Sequence, residues 1–160
     1  MRHRNPARAV LAGLVLTVAI TACGSSGSHH SRSSPAAAPG ATAQIRANWE
    51  AFFNAKTPVA KRVSLLQNGQ IFAPVIRAQA GSSLASSVSA TVSKVTGVTA
   101  TQAKVIYTIL VAGSPALRNR VGVAVKEGGI WKVGDASFCG LLVLQNSGSA
   151  KSLPSACAKA

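Results

Sequence analysis

The sequence is short of acid, of histidine and of aromatic rings, and each shortage closes off some chemistry. Only Glu50, Glu127 and Asp135 carry a side-chain carboxylate, against 17 lysines and arginines, for a formal charge of +14. A glycosidase-type pair of carboxylates therefore reduces to Glu50 with Glu127. Glu127 precedes Gly128-Gly129, where a solvated turn residue is expected. The three histidines are His3, His29 and His30, all in the N-terminal stretch. The remainder of the chain thus has no Ser-His or Cys-His nucleophile pair and no histidine metal cage. His29-His30 read as a solvated pair rather than a soft-metal site, so no metal and no cofactor is expected. There is no G-x-S-x-G elbow and no G-x-x-x-x-G-K phosphate loop. Aromatic residues make up 4% of the chain, too few for base stacking, and no nucleic-acid motif accompanies the positive charge. An isomerase-like site would need Asp135 as base and Tyr107, the single tyrosine, as donor. Asp135 reads better as a structural acid near a helix start, where the helix dipole favours it.

What the chain does have begins at its N-terminus. Arg2, Arg4 and Arg8 form a basic front, and Ala9 to Ile20 are apolar except for Gly13 and Thr17. Thr21-Ala22 then precede Cys23. This is the layout of an export signal, and its apolar run is shorter than the roughly 20 residues of a spanning helix. Ile20-Thr21-Ala22-Cys23 reads as a lipobox, in which Cys23 carries a diacylglycerol and becomes the first residue of the mature protein. The alternative is an ordinary signal peptide with a cysteine near the cut by chance. Two acyl chains anchor stably where one is marginal, since each buried methylene contributes about 0.8 kcal/mol. Arg2 and Arg4 are split by His3, so the general secretory route is expected. The expected location is the outer face of the cell membrane. Loss of Arg2, Arg4 and Arg8 with the leader takes the charge from +14 to +11. On that surface, such a charge favours anionic lipid or wall polymer as partner.

Three stretches follow from this: a leader over residues 1–22, a Ser-, Gly-, Pro- and Ala-rich tether over 23–43, and one domain over 44–160. With Cys23 lipidated, Cys139 and Cys157 remain, and in an oxidising compartment an even remainder reads as one disulfide. Two free thiols are the other state open to them.

Within the domain, Ile45, Trp49, Phe52 and Phe53 fall on one helical stripe. Thr57-Pro58 is expected to cap and start a second helix with Val59, Val63 and Leu66 inward, closed by Asn68-Gly69. A short third helix carries Phe72, Val75 and Ile76, with Pro74 in its first turn. Val88, Ala90 and Val92 then alternate with Ser and Thr as a strand, with a bulge expected near Lys94 to Gly97. Ala103, Val105, Tyr107, Ile109 and Val111 share a face of a second strand over 101–111. After a turn at Gly113-Ser114-Pro115, Leu117, Asn119, Val121, Val123 and Val125 are expected inward on a third strand. Arg118, Arg120 and Lys126 are expected outward, as a basic face able to contact anionic lipid or polymer, with Lys104 and Lys132 on neighbouring strands. Gly128-Gly129 is a hairpin turn, Trp131 and Val133 point inward, and Ser137 caps a last helix bearing Leu141, Leu142 and Leu144. Helices, then an antiparallel meander, then a helix make an α+β fold.

Leu65-Leu66-Gln67-Asn68-Gly69 and Gly128-Gly129-Ile130-Trp131-Lys132-Val133 through Ala136-Ser137-Phe138-Cys139, with the signal and tether, resemble one known family. It is the mycobacterial low-molecular-weight secreted antigen family with its lipoprotein relatives, over about residues 43 to 145. The resemblance implies a cystatin-like or nuclear-transport-factor-like fold, helices packed in the concavity of a curved four-stranded antiparallel sheet. It implies a surface protein without described catalytic residues. Two functions stand. One is a non-enzymatic, membrane-anchored interaction module with a filled core. The other is a carrier whose helices and sheet enclose an apolar cavity lined by Trp49, Phe52, Phe53, Tyr107 and Trp131.

Overall fold

The stripe of large apolar residues forms the first helix, α1 (Ala41–Phe53), and Ile45, Trp49, Phe52 and Phe53 are all buried. The computed structural model describes residues 40–83, 85–149 and 153–159. The leader, Cys23, His29, His30 and the tether as far as Pro39 lie outside the described residues. The helix begins three residues ahead of the expected Gln44, at Ala41.

The next segment departs from expectation in its caps. Helix α2 (Val59–Ser64) has Pro58 at its N-cap, and Thr57 makes no capping bond. It ends at Ser64, ahead of Asn68-Gly69. Asn68, in the left-handed region at φ 52, instead opens α3 (Gly69–Ala80). That helix is longer than expected, and Pro74 lies in its interior rather than its first turn. An interior proline costs a helix hydrogen bond; burial of Phe72, Ala73 and Ile76 offsets it.

The strands are β1 (Val88–Thr96), β2 (Gln102–Val111), β3 (Ser114–Glu127) and β4 (Ile130–Val133), paired antiparallel in chain order as one sheet. The sheet curls into a half-barrel around α1. Both edge strands reach the helix. Arg46 donates to the Val92 carbonyl of β1, and Glu50 accepts the Val92 N–H at 2.9 Å. Asn48, two residues along and so on the far side of α1, donates to the Trp131 carbonyl of β4 at 2.8 Å. The β1 register slips between Val92 and Lys94, one residue ahead of the expected bend.

Strand β3 corrects the sequence reading. Tyr107 pairs with Arg120 and Ile109 with Leu117, so β3 spends one extra residue there. Asn119 takes it up in the left-handed region at φ 51. Such a bulge reverses the alternation beyond it. Gly122 and Ala124 therefore face the core, whereas Val121 and Val123, expected inward, are 61% and 39% exposed. Strand β3 also starts at Ser114, before the expected turn has ended, because Ala112-Gly113 makes the reversal at φ 49 and 78. Pro115 is tolerated inside the strand because β4, which pairs only Ala124–Glu127, leaves this part of β3 on the sheet edge.

Helix α4 (Asp135–Gln145) follows, and a last short turn spans Ser155–Lys159. Cys139 of α4 is bonded to Cys157, with the Cα atoms 5.5 Å apart. No helix among the described residues is long and apolar enough to cross a membrane.

Candidate ligand cavity at the open end of the sheet

The core residues of α1 divide the concavity into a filled part and an open part. Trp49 is 1% exposed and presses its ring onto Gly122. A Cβ at that glycine would lie 2.6 Å from the Trp49 ring, so the bulge-shifted parity places the one residue without a side chain where the indole needs room. From Trp49 a chain of rings runs outward. Trp49 meets Tyr107 at 5.0 Å between centroids, Tyr107 stacks on Phe53 at 5.7 Å, and Phe53 meets Phe52 edge-on at 4.8 Å. Phe52 then meets Phe138 at 5.7 Å, and Phe138 meets Phe72 at 5.4 Å. Edge-on and stacked pairs of this sort contribute beyond the area they bury.

Past Phe52 and Phe53 the concavity is open. A cavity of about 290 Å³ lies between α3, α4 and the far ends of β1, β2 and β3. Phe138, Leu141, Leu142 and Leu144 of α4 line it together with Ile109 and Leu117 of the sheet. Small-ligand sites run from about 300 Å³ upward and are mainly apolar with a few placed polar groups; this cavity falls just below the bottom of that range. Of the residues expected to line a pocket, Phe52 and Phe53 do so. Trp49, Tyr107 and Trp131 do not; they belong to the filled part.

The polar groups on the lining are few. Gln79 of α3 donates to Gln145 of α4 at 2.9 Å and bridges the two helices at the rim. Arg62 of α2 is the charged side chain of the lining. Its Nε donates to the Phe52 carbonyl at 2.9 Å, and its guanidinium lies 5.8 Å from the centre of the Phe52 ring. Burial lowers its pKa from the ordinary arginine value. Sequence reading passed over Arg62 and the leucines. The signal was there: Arg62 falls three residues after Val59 and beside Val63, at the edge of the apolar stripe of α2.

The acids hold the structure together. Asp135, the first residue of α4, accepts from Asn68 Nδ2 and from the Ala136 N–H, both at 2.8 Å. Neither Asp135 nor Tyr107 lines the cavity. Glu127 pairs with Lys132 at 3.1 Å on the hairpin.

The three basic residues expected on one outer face are all exposed, but the register separates them. Arg120 pairs with inward Tyr107, and Lys126 pairs with inward Trp131, with its Nζ 5.9 Å from the Trp131 ring. Arg118, next to inward-facing Leu117, alternates to the other side. The Asn119 bulge is the cause here too. Ser137, expected to cap α4, instead accepts the Val123 N–H at 2.8 Å and so closes the edge of β3 beyond the end of β4.

Comparison with curated proteins and with solved structures yields no match. The family model extends across the helical half as well as the motif segments. The chain belongs to the family described as low molecular weight antigen MTB12, C-terminal domain, which matches residues 37–149.

Proposed function

We propose that this protein is a non-enzymatic binding module of the cell envelope, exported and held at the membrane by lipid on Cys23, that takes a hydrophobic ligand into the cavity beside α4. The observation that carries the reading is the cavity: about 290 Å³, walled by leucines and phenylalanines, at the uncovered end of an otherwise filled sheet. The anchor rests on the lipobox pattern, and the charge of +11 left after loss of Arg2, Arg4 and Arg8 suits a surface of anionic lipid or polymer.

Mass spectrometry of the native protein extracted from membranes tests both halves. A diacylglyceryl mass on Cys23 and a co-purifying small hydrophobic molecule are the expected results. Cys23→Ala leaves the protein unprocessed or releases it from the membrane fraction. Leu141→Trp, which fills the cavity, removes the co-purifying molecule while the fold persists. An unmodified cysteine defeats the anchor. Equal ligand recovery from the filled-cavity variant defeats the carrier.

A further inference from the structure

Among the described residues Arg62 is a cation without an ion-pair partner. The chain has three acidic side chains, and each is engaged away from it. Glu50 accepts the Val92 N–H, Glu127 pairs with Lys132, and Asp135 accepts from Asn68 and Ala136. The Arg62 side chain is half-buried on the wall of the apolar cavity, and among its described hydrogen bonds only Nε is used, toward the Phe52 carbonyl. Its two terminal nitrogens are the fork that grips a carboxylate or phosphate. A partly desolvated charge without a partner is costly to keep, and a neutral ligand would desolvate it further. An anionic one would offset the cost. The rest of the lining is suited to hydrocarbon, with Gln79, Ser82 and Gln145 as its polar side chains.

We infer that the ligand is a single-chain amphiphile with one anionic head, its head against the Arg62 guanidinium and its chain among Leu141, Leu142 and Leu144. The inference rests on the cavity being a binding site, and adds the class of the ligand. Carboxylate and phosphate heads share the chemistry, and the measurement separates them.

The full-length protein is titrated calorimetrically with decanoate, decyl phosphate, decanol and decyltrimethylammonium. At least one of the two anions binds saturably at one per chain, and the tighter of them identifies the head. Decanol binds about 10- to 100-fold more weakly, the span expected for a hydrogen bond to a charged group, and the cation more weakly again. Arg62→Gln abolishes the difference between anion and decanol, with decanol binding no more weakly than in the wild type, whereas Arg62→Lys keeps a preference for the anion. The outcome that overturns the inference is decanol equal to both anions in the wild type; the cavity then still binds, and the proposed function stands without an anionic head. If no decyl compound binds, both fall. Should Arg62→Gln fail to fold, acid titration of the wild type decides: the decanoate preference over decanol falls as the pH drops below the carboxylate range and is gone by about pH 3, since the guanidinium favours the ionised head, and a preference undiminished there overturns the inference.

Discussion

The two ends of the half-barrel are built on opposite terms. At the closed end most of the family's motif is tied into the scaffold, Phe138 of the cavity wall excepted. Leu65 and Leu66 are each 1% exposed, and the chain around them lies along β4, with the Val133 N–H donating to Leu65 and the Gln67 N–H to Val133. That strip shields β4, which would otherwise present an open edge. Gln67 accepts the Asp135 N–H and Asn68 donates to the same residue, so the segment also positions the start of α4. Gly128 and Gly129, at φ 57 and 80, make the tight hairpin that brings Trp131 and Val133 inward. At the open end, the lining is ordinary leucine, phenylalanine and isoleucine around empty space, and Leu144 is 42% exposed. The difference teaches that the distinctive residues of this chain are its scaffold. What can bind is lined by residues that look like any core.

The comparison breaks most readily at its largest expected effect. Trp49→Ala at the closed end removes the ring around which β2, β3 and α1 pack and costs about 3–5 kcal/mol. Leu144→Ala at the open end changes a partly exposed residue and stays within about 0.5 kcal/mol. Urea unfolding of both variants checks this; equal losses abolish the distinction between a filled end and an open one. Next in size is the disulfide. Opening Cys139–Cys157 by the double change to serine frees a tail whose Leu153 and Ala156 pack against the core from the α3–α4 side. The chain-entropy treatment for a loop with a separation of 18 residues puts the loss at about 3 kcal/mol. Denaturant midpoints with and without reductant measure it, and a midpoint indifferent to reduction denies the staple. Gly122→Ala follows, at about 1–3 kcal/mol. Its new Cβ would stand 2.6 Å from a buried indole, with the Ser137 hydroxyl on the other side at 3.1 Å, so little can yield. Pairing it with Trp49→Ala sharpens the test. If the clash is with that ring, the double variant loses less than the two single losses added together.

The α+β order, the four strands, the hairpin at Gly128-Gly129 and the inward stripe of α1 were legible because each rests on local periodicity or turn chemistry. The parity of β3 was not. Leu117, Val121, Val123 and Val125 keep one parity, and the local sign of a break is weak: Asn119, a residue type that enters the left-handed region more readily than most, interrupts the apolar series. Only the packing of Trp49 against Gly122 decides it, a contact 73 positions apart in the chain. The caps of α2 and α3 failed for a similar reason. Asn68-Gly69 suits the end of one helix and the start of another equally well, and the pairing of Leu66 with Val133 selects the second. A cavity was foreseeable from small strand residues facing a few large helix residues. Its position was not, since that depends on where α1 stops and on the lean of α3 and α4.

The smallest effect at neutral pH, and the sharpest optical one, belongs to Tyr107, where the two ends meet. Its ring contacts Trp49 on the filled side and stacks on Phe53, which lines the cavity. Burial pushes its phenol up to about 12, with the Arg120 charge pulling weakly the other way. A free tyrosine titrates near 10. The folded state therefore holds the proton more tightly than the unfolded chain. The stability this represents is whole below pH 10 and is lost as the pH rises through 12. Because Tyr107 is the single tyrosine, the phenolate absorbance near 295 nm reports this one group. The expected titration is late, close to pH 12, and coincides with loss of the tertiary signal of the tryptophans. Arg120→Gln raises it further, since the opposing charge is gone, and leaves stability at pH 7 within about 0.5 kcal/mol, as for an exposed residue. A phenol that ionises near 10 with the fold intact would place Tyr107 in contact with water, and the filled end would then stop short of it.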